Sequence, residues 1–274
     1  MEPVLKWAGG KRQLLAEIRK IITPESLQGH RLFEPFVGGG SVFLSYEHKS
    51  VVINDYNEEL MNVYEEIKTN ADSLICLLKN HKEKHDKEYY YKIRNLDRTE
   101  AYAQLTNTER AARIIYLNRT CFNGLYRVNA KGQYNVPVGK YVNPDIVSED
   151  RIREMSKYLS KNKVHMRCGD FEKSVKGARR GDTIYFDPPY DYEECGFTSY
   201  TPGAFSRADL TRMKKLCDRL IEKGCKVVVS NNDTSFVREL FDDEKYTIKT
   251  VMAKRMINCD GAKRSEVREV LIYG

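Results

Sequence analysis

The sequence predicts an α/β fold in which a mostly parallel sheet is interrupted by one helical module. Three observations lead to this prediction. Short β-rich runs alternate with helical patterns near both ends of the chain, charged helical patterns without a convincing strand fill its middle, and the apolar run Thr183–Phe186 stops at Asp187-Pro188-Pro189-Tyr190. With 274 residues, 41% of them hydrophobic, the chain can bury a core large enough for such a fold.

The first four elements have the order helix, strand, helix, strand. Apolar spacing predicts a helix over Arg12–Ile22, and β-rich runs predict strands at Arg31–Phe36 and Ser50–Asn54. A Gly-rich turn and a short apolar helix at Ser41–Tyr46 separate the two strands. This order is the beginning of a βαβ arrangement.

The middle of the chain predicts an inserted helical domain. Charged helical patterns occupy Glu59–Lys68, Ala71–Asn80 and Glu109–Asn118. A hairpin-like segment with turn residues follows at about 118–137. We therefore predict one sheet domain from residues 1–56 and 160–274, and a helical domain at 57–159.

Strand and helix patterns alternate again in the last part of the chain. The predicted strands are Val164–Cys168, Thr183–Phe186, Lys226–Ser230, Tyr246–Met252 and Val267–Tyr273. The predicted helices are Ala208–Glu222 and Ser235–Phe241. These elements extend the sheet that the N-terminal strands begin.

Bulk composition narrows the class of protein. No apolar run approaches the ~20 residues of a membrane span, and the N-terminus lacks the pattern of a signal peptide. The seven cysteines form no C-x-x-C pair and are odd in number, which argues against a zinc site and against a disulfide framework. We predict a cytoplasmic protein with reduced thiols, no membrane association and no metal.

The formal charge of +7 is unevenly distributed, because no Asp or Glu lies between Arg110 and Pro144. The basic residues of this block are Arg110, Arg113, Arg119, Arg127, Lys131 and Lys140. The aromatic residues among them are Tyr116, Phe122, Tyr126, Tyr134 and Tyr141. Phosphate neutralisation combined with contacts to bases requires such a mixture, whereas a basic face alone would only aid solubility. The block favours nucleic acid as the partner.

The tetrapeptide Asp187-Pro188-Pro189-Tyr190 is suited to the chemistry of an exocyclic amine. A strand that ends at two prolines places an Asp, rigid backbone and an aromatic ring at its carboxyl end, where open α/β sheets bind ligands. The Asp187 carboxylate and the Pro188 carbonyl can accept from an NH2 group, and Tyr190 can stack on a planar base. The alternative is a proline turn packed over a core tyrosine.

A glycine turn and an acid suggest a nucleotide cofactor. Gly38-Gly39-Gly40 follows the Phe33–Phe36 strand, where a Cβ would obstruct a ligand, and Asp55 ends the next strand, where it can accept from ribose hydroxyls. Phe43 breaks the dinucleotide fingerprint, and Arg12 after Gly10-Lys11 excludes a P-loop. This pattern fits S-adenosylmethionine (AdoMet) as well as a nicotinamide cofactor.

Five motifs in order resemble the Dam-type, alpha-group DNA adenine-N6 methyltransferases. They are Lys6–Lys11, Phe33–Ser41, Ile53–Asp55, Phe122–Arg127 and Asp187–Tyr190, and together they extend over nearly the whole chain. The resemblance implies a Rossmann-like class I AdoMet-dependent methyltransferase sheet with an inserted helical DNA-recognition domain and a β-hairpin. It also implies methylation of a flipped-out adenine in duplex DNA, with GATC as the expected site.

The resemblance implies specific residues for the cofactor and for catalysis. Trp7 and Lys11 would contact the methionine end of AdoMet, Asp55 its ribose, and Asp170 with Phe171 its adenine. Phe36, Gly38 and Gly40 would complete the cofactor site. Asp187 would lie beside the transferred methyl group, and Asp187, Pro188 and Tyr190 would hold the target adenine.

The hairpin supplies the predicted contacts to DNA. An arginine on a turn can make the bidentate contact that specifies guanine, which is the role expected of Arg127. By resemblance, Phe122 wedges into the duplex in a position where the family often has Tyr, and Leu125 and Pro137 touch base methyls or edges. The full set of predicted contacts is Arg119, Phe122, Asn123, Leu125, Arg127, Lys131, Pro137, Lys140 and Tyr141.

Two other functions remain open from the sequence. One is N-methylation of RNA or of a protein amide, because similar motifs serve other planar nitrogens; the other is a catalytically silent DNA-binding module. The expected partner is double-stranded DNA, with no obligate protein partner. The connection Ala253–Arg264 carries a basic cluster of Lys254, Arg255, Lys263 and Arg264, which could add phosphate contacts. The polar segment Asp191–Thr201 could cover the flipped base.

Overall fold

The computed structural model describes residues 1–193, 205–254 and 266–274, and at residues 253, 254, 266 and 267 it describes only the backbone. Most of the basic connection Ala253–Arg264 and of the segment Asp191–Thr201 lies outside the described residues. No helix within those ranges is both long enough and apolar enough to cross a membrane.

The chain forms two compact units. The first, here called the helical unit, contains Met1–Gly10, Gly38–Glu47 and Asn57–Cys168. The second, here called the sheet unit, contains Lys11–Val37, His48–Tyr56 and Gly169–Gly274. Met1–Gly10 and Gly38–Glu47 therefore pack with the helices. The domain boundaries predicted from the sequence stay a prediction.

Among the described residues, seven strands form a sheet with the order β3-β2-β1-β4-β5-β7-β6. The strands are β1 Leu32–Glu34, β2 Ser50–Asp55, β3 Lys163–Cys168, β4 Thr183–Phe186, β5 Lys226–Asn232, β6 Thr247–Lys254 and β7 Glu266–Tyr273. Strand β1 is parallel to β2 and β4, and β4 is parallel to β5, whereas β7 runs antiparallel to both β5 and β6. The predicted α/β fold with a mostly parallel sheet is confirmed.

The parallel strands β1, β4 and β5 are almost completely buried. Every residue of β1 and β4 is buried, and so are six of the seven residues of β5. This is the pattern of strands covered on both sides. Because β1, β2, β4 and β5 run parallel, their carboxyl ends share one edge of the sheet. Asp55, Asp187 and Ser230 lie at or near these ends.

The helices of the sheet unit are α1 Leu15–Ile21, α8 Phe171–Ser174, α9 Arg207–Glu222 and α10 Ser235–Leu240. Those of the helical unit are α2 Ser41–Tyr46, α3 Glu58–Thr69, α4 Ala71–Glu83, α5 Lys87–Asn95, α6 Asn107–Thr120 and α7 Glu149–Lys161. Helix α3 packs against α6 and α7, and α4 packs against α6. The structure adds α5, α7 and α8 to the helices predicted from the sequence.

The hairpin begins later than the sequence predicted, because α6 continues to Thr120. Isolated antiparallel bridges, Cys121 to Val138 and Val128 to Tyr134, join its two arms in place of continuous strands. Residues 121–138 are called the hairpin below. At its tip, the Gly132 amide donates to the Asn129 carbonyl at 2.9 Å, and the left-handed φ of +74° there suits glycine.

Candidate active site

Asp187 follows β4 at the carboxyl edge of the sheet. Pro188 and Pro189 cannot donate to a sheet ladder, so the strand ends at Phe186. Pro188 is buried, Pro189 is exposed, and Asp187 and Tyr190 are half-buried. The local sequence therefore places a carboxylate and an aromatic ring at a strand end, as predicted.

Asp187 forms an ion pair with the buried Lys11. The Lys11 ammonium lies 2.7 Å from Asp187 Oδ1, and Lys11 is only 6% exposed. The Ser230 hydroxyl on β5 donates to the same oxygen at 2.8 Å. Burial raises the pKa of Asp187, while Lys11 and Ser230 act in the opposite direction by favouring the carboxylate.

Tyr190 is fixed from two sides. Its hydroxyl donates to Glu269 Oε2 on β7 at 2.8 Å, and the Lys11 ammonium lies 4.6 Å from the centre of its ring. Burial raises the pKa of Tyr190 well above its usual value, so the hydroxyl stays protonated and remains a donor. Its orientation is thereby set before any base arrives.

The other cofactor residues of the sheet unit have structural partners of their own. Asp55 ends β2, and its carbonyl accepts from the Gly169 amide at 3.0 Å. Asp170 caps α8 by accepting from the Glu172 amide at 2.9 Å, and it pairs with Arg212 at 2.8 Å. These bonds hold Asp170 in place, and its predicted contact with the cofactor stays a prediction.

Two predicted cofactor residues of the sheet unit are aromatic. Phe36 stacks on Phe171 with ring centres 5.5 Å apart. Phe171 is 4% exposed and belongs to the hydrophobic core, whereas Phe36 is half-buried beside that core. Phe36 is therefore the more accessible of the two to a ligand.

In the helical unit, Trp7 packs directly on the glycine turn. A Cβ on Gly38 would lie 2.8 Å from Trp7 Cδ1, and Gly38 and Gly40 have left-handed φ values of +48° and +76°. Both the close approach and the backbone conformation require glycine here. Trp7 also stacks on Tyr126, with ring centres 5.3 Å apart. Trp7 therefore links the glycine turn to the hairpin.

One feature of the sheet unit fits AdoMet. The half-buried carboxylate of Asp55 stands at the end of β2, where it can accept from ribose hydroxyls.

The hairpin and the three residues that follow it expose most of the side chains predicted to contact DNA. Phe122 is 42% exposed and Tyr141 38% exposed. The other exposed members are Asn123, Arg127, Lys131, Pro137 and Lys140, whereas Leu125 is half-buried. The Arg127 Nε donates to Asn135 Oδ1 across the hairpin at 2.7 Å, which holds the guanidinium at the surface.

The three arginines of α6 lie in a different environment. Arg110 pairs with Glu59, and Arg113 pairs with Asp97 at 2.8 Å. Arg119 is 5% exposed and lies 3.9 Å from Asp145. The acid-free block is therefore half neutralised by acids from elsewhere in the helical unit, and burial does not favour the DNA contact predicted for Arg119, which stays a prediction.

The sequence analysis missed several residues that organise these sites. Ser230, Glu269 and Asn135 are examples, and Asn118 is another because its amide donates to the Lys6 carbonyl at 2.7 Å and to the Gly124 carbonyl at 3.0 Å. A signal existed for Ser230, since Ser-Asn-Asn interrupts the apolar β5 at its carboxyl end. No local pattern marks the others.

Comparison with solved structures gives distant similarities. The chain resembles an rRNA methyltransferase, aviRa, from Streptomyces viridochromogenes with a TM-score of 0.41 and 12% identity, covering 98% of this chain and 88% of that one. It resembles a precorrin 8W decarboxylase from Methanobacterium thermoautotrophicum with a TM-score of 0.41 and 10% identity, covering 96% and 89%.

Comparison by sequence finds much more similar proteins. The chain is 43% identical to the type II methyltransferase M1.LlaDCHI of Lactococcus lactis subsp. cremoris, covering 100% of this chain and 96% of the relative. It is 34% identical to the DNA adenine methylase of Haemophilus influenzae, covering 99% and 93%. Residues 7–257 match the family described as D12 class N6 adenine-specific DNA methyltransferase. The chain therefore belongs to the D12 class of N6 adenine-specific DNA methyltransferases.

Proposed function

We propose that this DNA adenine-N6 methyltransferase transfers the methyl group of AdoMet to an adenine that is flipped out of duplex DNA, within the sequence GATC. Membership of the family establishes methylation of DNA adenine. The cofactor, the target sequence and the roles of individual residues are the proposal. A DNA substrate also agrees with the cytoplasmic location predicted from the sequence.

The observation that carries the proposal is the environment of Asp187. Adenine N6 is a weak nucleophile because its lone pair is delocalised into the ring. Lys11 and Ser230 stabilise the Asp187 carboxylate, and the carboxylate can then accept one N6–H while the Pro188 carbonyl accepts the other. These acceptors direct the lone pair towards the methyl group.

The cofactor supplies an electrophilic methyl group on a sulfonium. The residues proposed to hold it are Trp7, Lys11, Phe36, Gly38, Gly40, Asp55, Asp170, Phe171 and Asp187. Lys11 has a second task, since its ammonium also pairs with Asp187. The ring of Tyr190, held by Glu269, would stack on the target base.

A base inside a duplex cannot reach such a site, so flipping costs a few kcal/mol that contacts elsewhere must offset. The hairpin would supply them. Arg127 would read guanine and Phe122 would fill the gap left by the flipped base, while Lys131 and Lys140 would contact phosphates. The remaining proposed contacts are Arg119, Asn123, Leu125, Pro137 and Tyr141.

Expression in a strain without DNA methylation, followed by genome-wide mapping of N6-methyladenine, tests the proposal. Methylation confined to GATC supports it. Methylation at another sequence would overturn the assigned site, and labelled AdoMet that marks RNA but not duplex DNA would overturn the substrate. Replacing Asp187 by Ala in the same strain shows whether the signal depends on this site.

A further inference from the structure

Both described donors to Asp187 reach the same carboxylate oxygen. Within residues 1–193, 205–254 and 266–274, the Lys11 ammonium contacts Oδ1 at 2.7 Å and the Ser230 hydroxyl contacts Oδ1 at 2.8 Å. An ionised carboxylate has about four lone-pair sites on two oxygens. Two donors on Oδ1 leave Oδ2 as the oxygen that can accept from a substrate.

A second hydroxyl, that of Tyr185, contacts Ser230. The Tyr185 hydroxyl on β4 donates to Ser230 Oγ at 3.0 Å, and both residues are 0% exposed. Because burial raises the pKa of Tyr185 well above its usual value, this hydroxyl keeps its proton. Because an ionised carboxylate can only accept, the Ser230 hydroxyl donates its one proton to Asp187, and the Tyr185 hydroxyl donates to Ser230.

We propose that Ser230 is a positioning residue for methyl transfer, which, with Lys11, occupies Oδ1 of Asp187 so that Oδ2 meets the amine of the target adenine. Tyr185 sets the direction of the Ser230 hydroxyl. The inference rests on the proposed role of Asp187 as the acceptor for N6. It adds two hydroxyls to the site that no sequence motif indicated.

The proposal predicts a specific pH effect. The charged or titratable groups around Asp187 are Lys11, Tyr185, Tyr190 and Glu269, and Glu34 faces Tyr185. Of the two groups that favour the ionised carboxylate, Lys11 and Ser230, Ser230 can be removed without changing the charge. Its loss should raise the pKa of Asp187 and move the acid limb of the rate profile to higher pH.

The test is a single-turnover measurement of methyl transfer from labelled AdoMet to a GATC duplex between about pH 5 and 9, because single turnovers exclude product release. Ser230→Ala should move the acid limb upward by about one pH unit, the size expected for a lost hydrogen bond to a charged group. Tyr185→Phe should move it the same way by less. Ser230→Thr, which keeps the hydroxyl, should restore the wild-type limb.

Thr183→Val on β4 is the matched control. The Thr183 hydroxyl is buried without a hydrogen-bond partner among the described residues, so its removal should leave the profile unchanged. An acid limb that stays in place in Ser230→Ala, or one that moves equally in Thr183→Val, would overturn the proposal. Activity retained by Asp187→Ala would instead overturn the role of Asp187 itself, so the two failures are distinguishable.

Discussion

The side chains around Asp187 are buried, whereas those at the tip of the hairpin are exposed. Lys11 and Ser230, which contact Asp187, are 6% and 0% exposed. On the hairpin, Phe122 is 42% exposed, and Arg127 and Lys131 are exposed as well. The carboxylate proposed for catalysis is thus held by buried partners within the protein, whereas the groups proposed to contact DNA remain in water.

This difference in exposure follows from the stage at which each group acts. An acceptor for a reacting amine is effective only if its position and charge are set before the reaction, since reorganisation adds to the barrier. A charge that meets phosphate or a base edge gains most of its energy on binding and costs little while it is solvated. Burial is therefore useful in the first case and harmful in the second.

The hairpin is nevertheless anchored from below. Tyr126 stacks on Trp7 and packs edge-on against Tyr134, which is 2% exposed. The Tyr134 hydroxyl donates to the Leu125 carbonyl at 2.8 Å, and the Tyr134 amide donates to Asp97 at 2.7 Å. The exposed tip therefore rests on a packed aromatic base.

The largest effect is expected at the catalytic carboxylate. Asp187→Ala should reduce methyl transfer at least ~1,000-fold, about 4 kcal/mol, because the amine loses its oriented acceptor. Binding of a GATC duplex, measured by fluorescence anisotropy, should stay within about tenfold of wild type. A variant that keeps more than about a tenth of the wild-type rate would show that Asp187 is not this acceptor.

The helical unit should respond to acid through a half-buried neutral imidazole. His81 stacks on Tyr116, and burial lowers its pKa to about 4. The unfolded chain takes up a proton near pH 6.5 and the folded chain does not, so stability is present above pH 6.5 and lost as the pH falls towards 4. The loss should reach about 3 kcal/mol.

Urea unfolding of wild type and His81→Phe at pH 7 and pH 4.5 measures this effect, because phenylalanine keeps the stacking and cannot be protonated. The wild type should lose more stability between the two pH values than the variant does. Equal losses of stability in the two proteins would indicate that protonation of carboxylates, and not of His81, causes the acid sensitivity.

On the hairpin, Arg127→Ala should relax sequence preference by ~1–3 kcal/mol, because a base-edge contact discriminates between bases. Asn135→Ala should act in the same direction but more weakly, since it removes only the bond that holds Arg127. The measurement is the ratio of methylation rates on GATC and on a site altered at one base, at fixed salt. If Arg127→Ala lowers both rates by the same factor, Arg127 contacts only the backbone.

The smallest effect is expected from the exposed lysines. Lys131→Gln or Lys140→Gln should weaken binding to all duplexes alike and reduce the slope of log affinity against log salt by about 1. Arg110→Gln is a matched control, because Arg110 already pairs with Glu59. A lysine variant that leaves the slope unchanged has no phosphate contact.

Local sequence pattern was sufficient to predict the helices and strands and to place the motifs on them. Helix α2 and strand β4 have the predicted bounds, Ser41–Tyr46 and Thr183–Phe186. Periodicity and turn residues are properties of neighbouring residues, so they are readable in one sequence. Prolines after β4 likewise placed Asp187 at a strand end without any knowledge of the sheet order.

The partners of these residues depended on the tertiary structure. Ser230 is 43 residues from Asp187 and Glu269 is 79 residues from Tyr190, and each pair meets only because of how the strands are ordered in the sheet. The burial of charged side chains also depended on the tertiary structure. Arginines of α6 look exposed in sequence, but packing against α3, α4 and α5 buries Ala111–Thr120. Sequence determined which chemical groups stand at the strand ends and on the hairpin, and long-range packing decided which of them are paired and which face water.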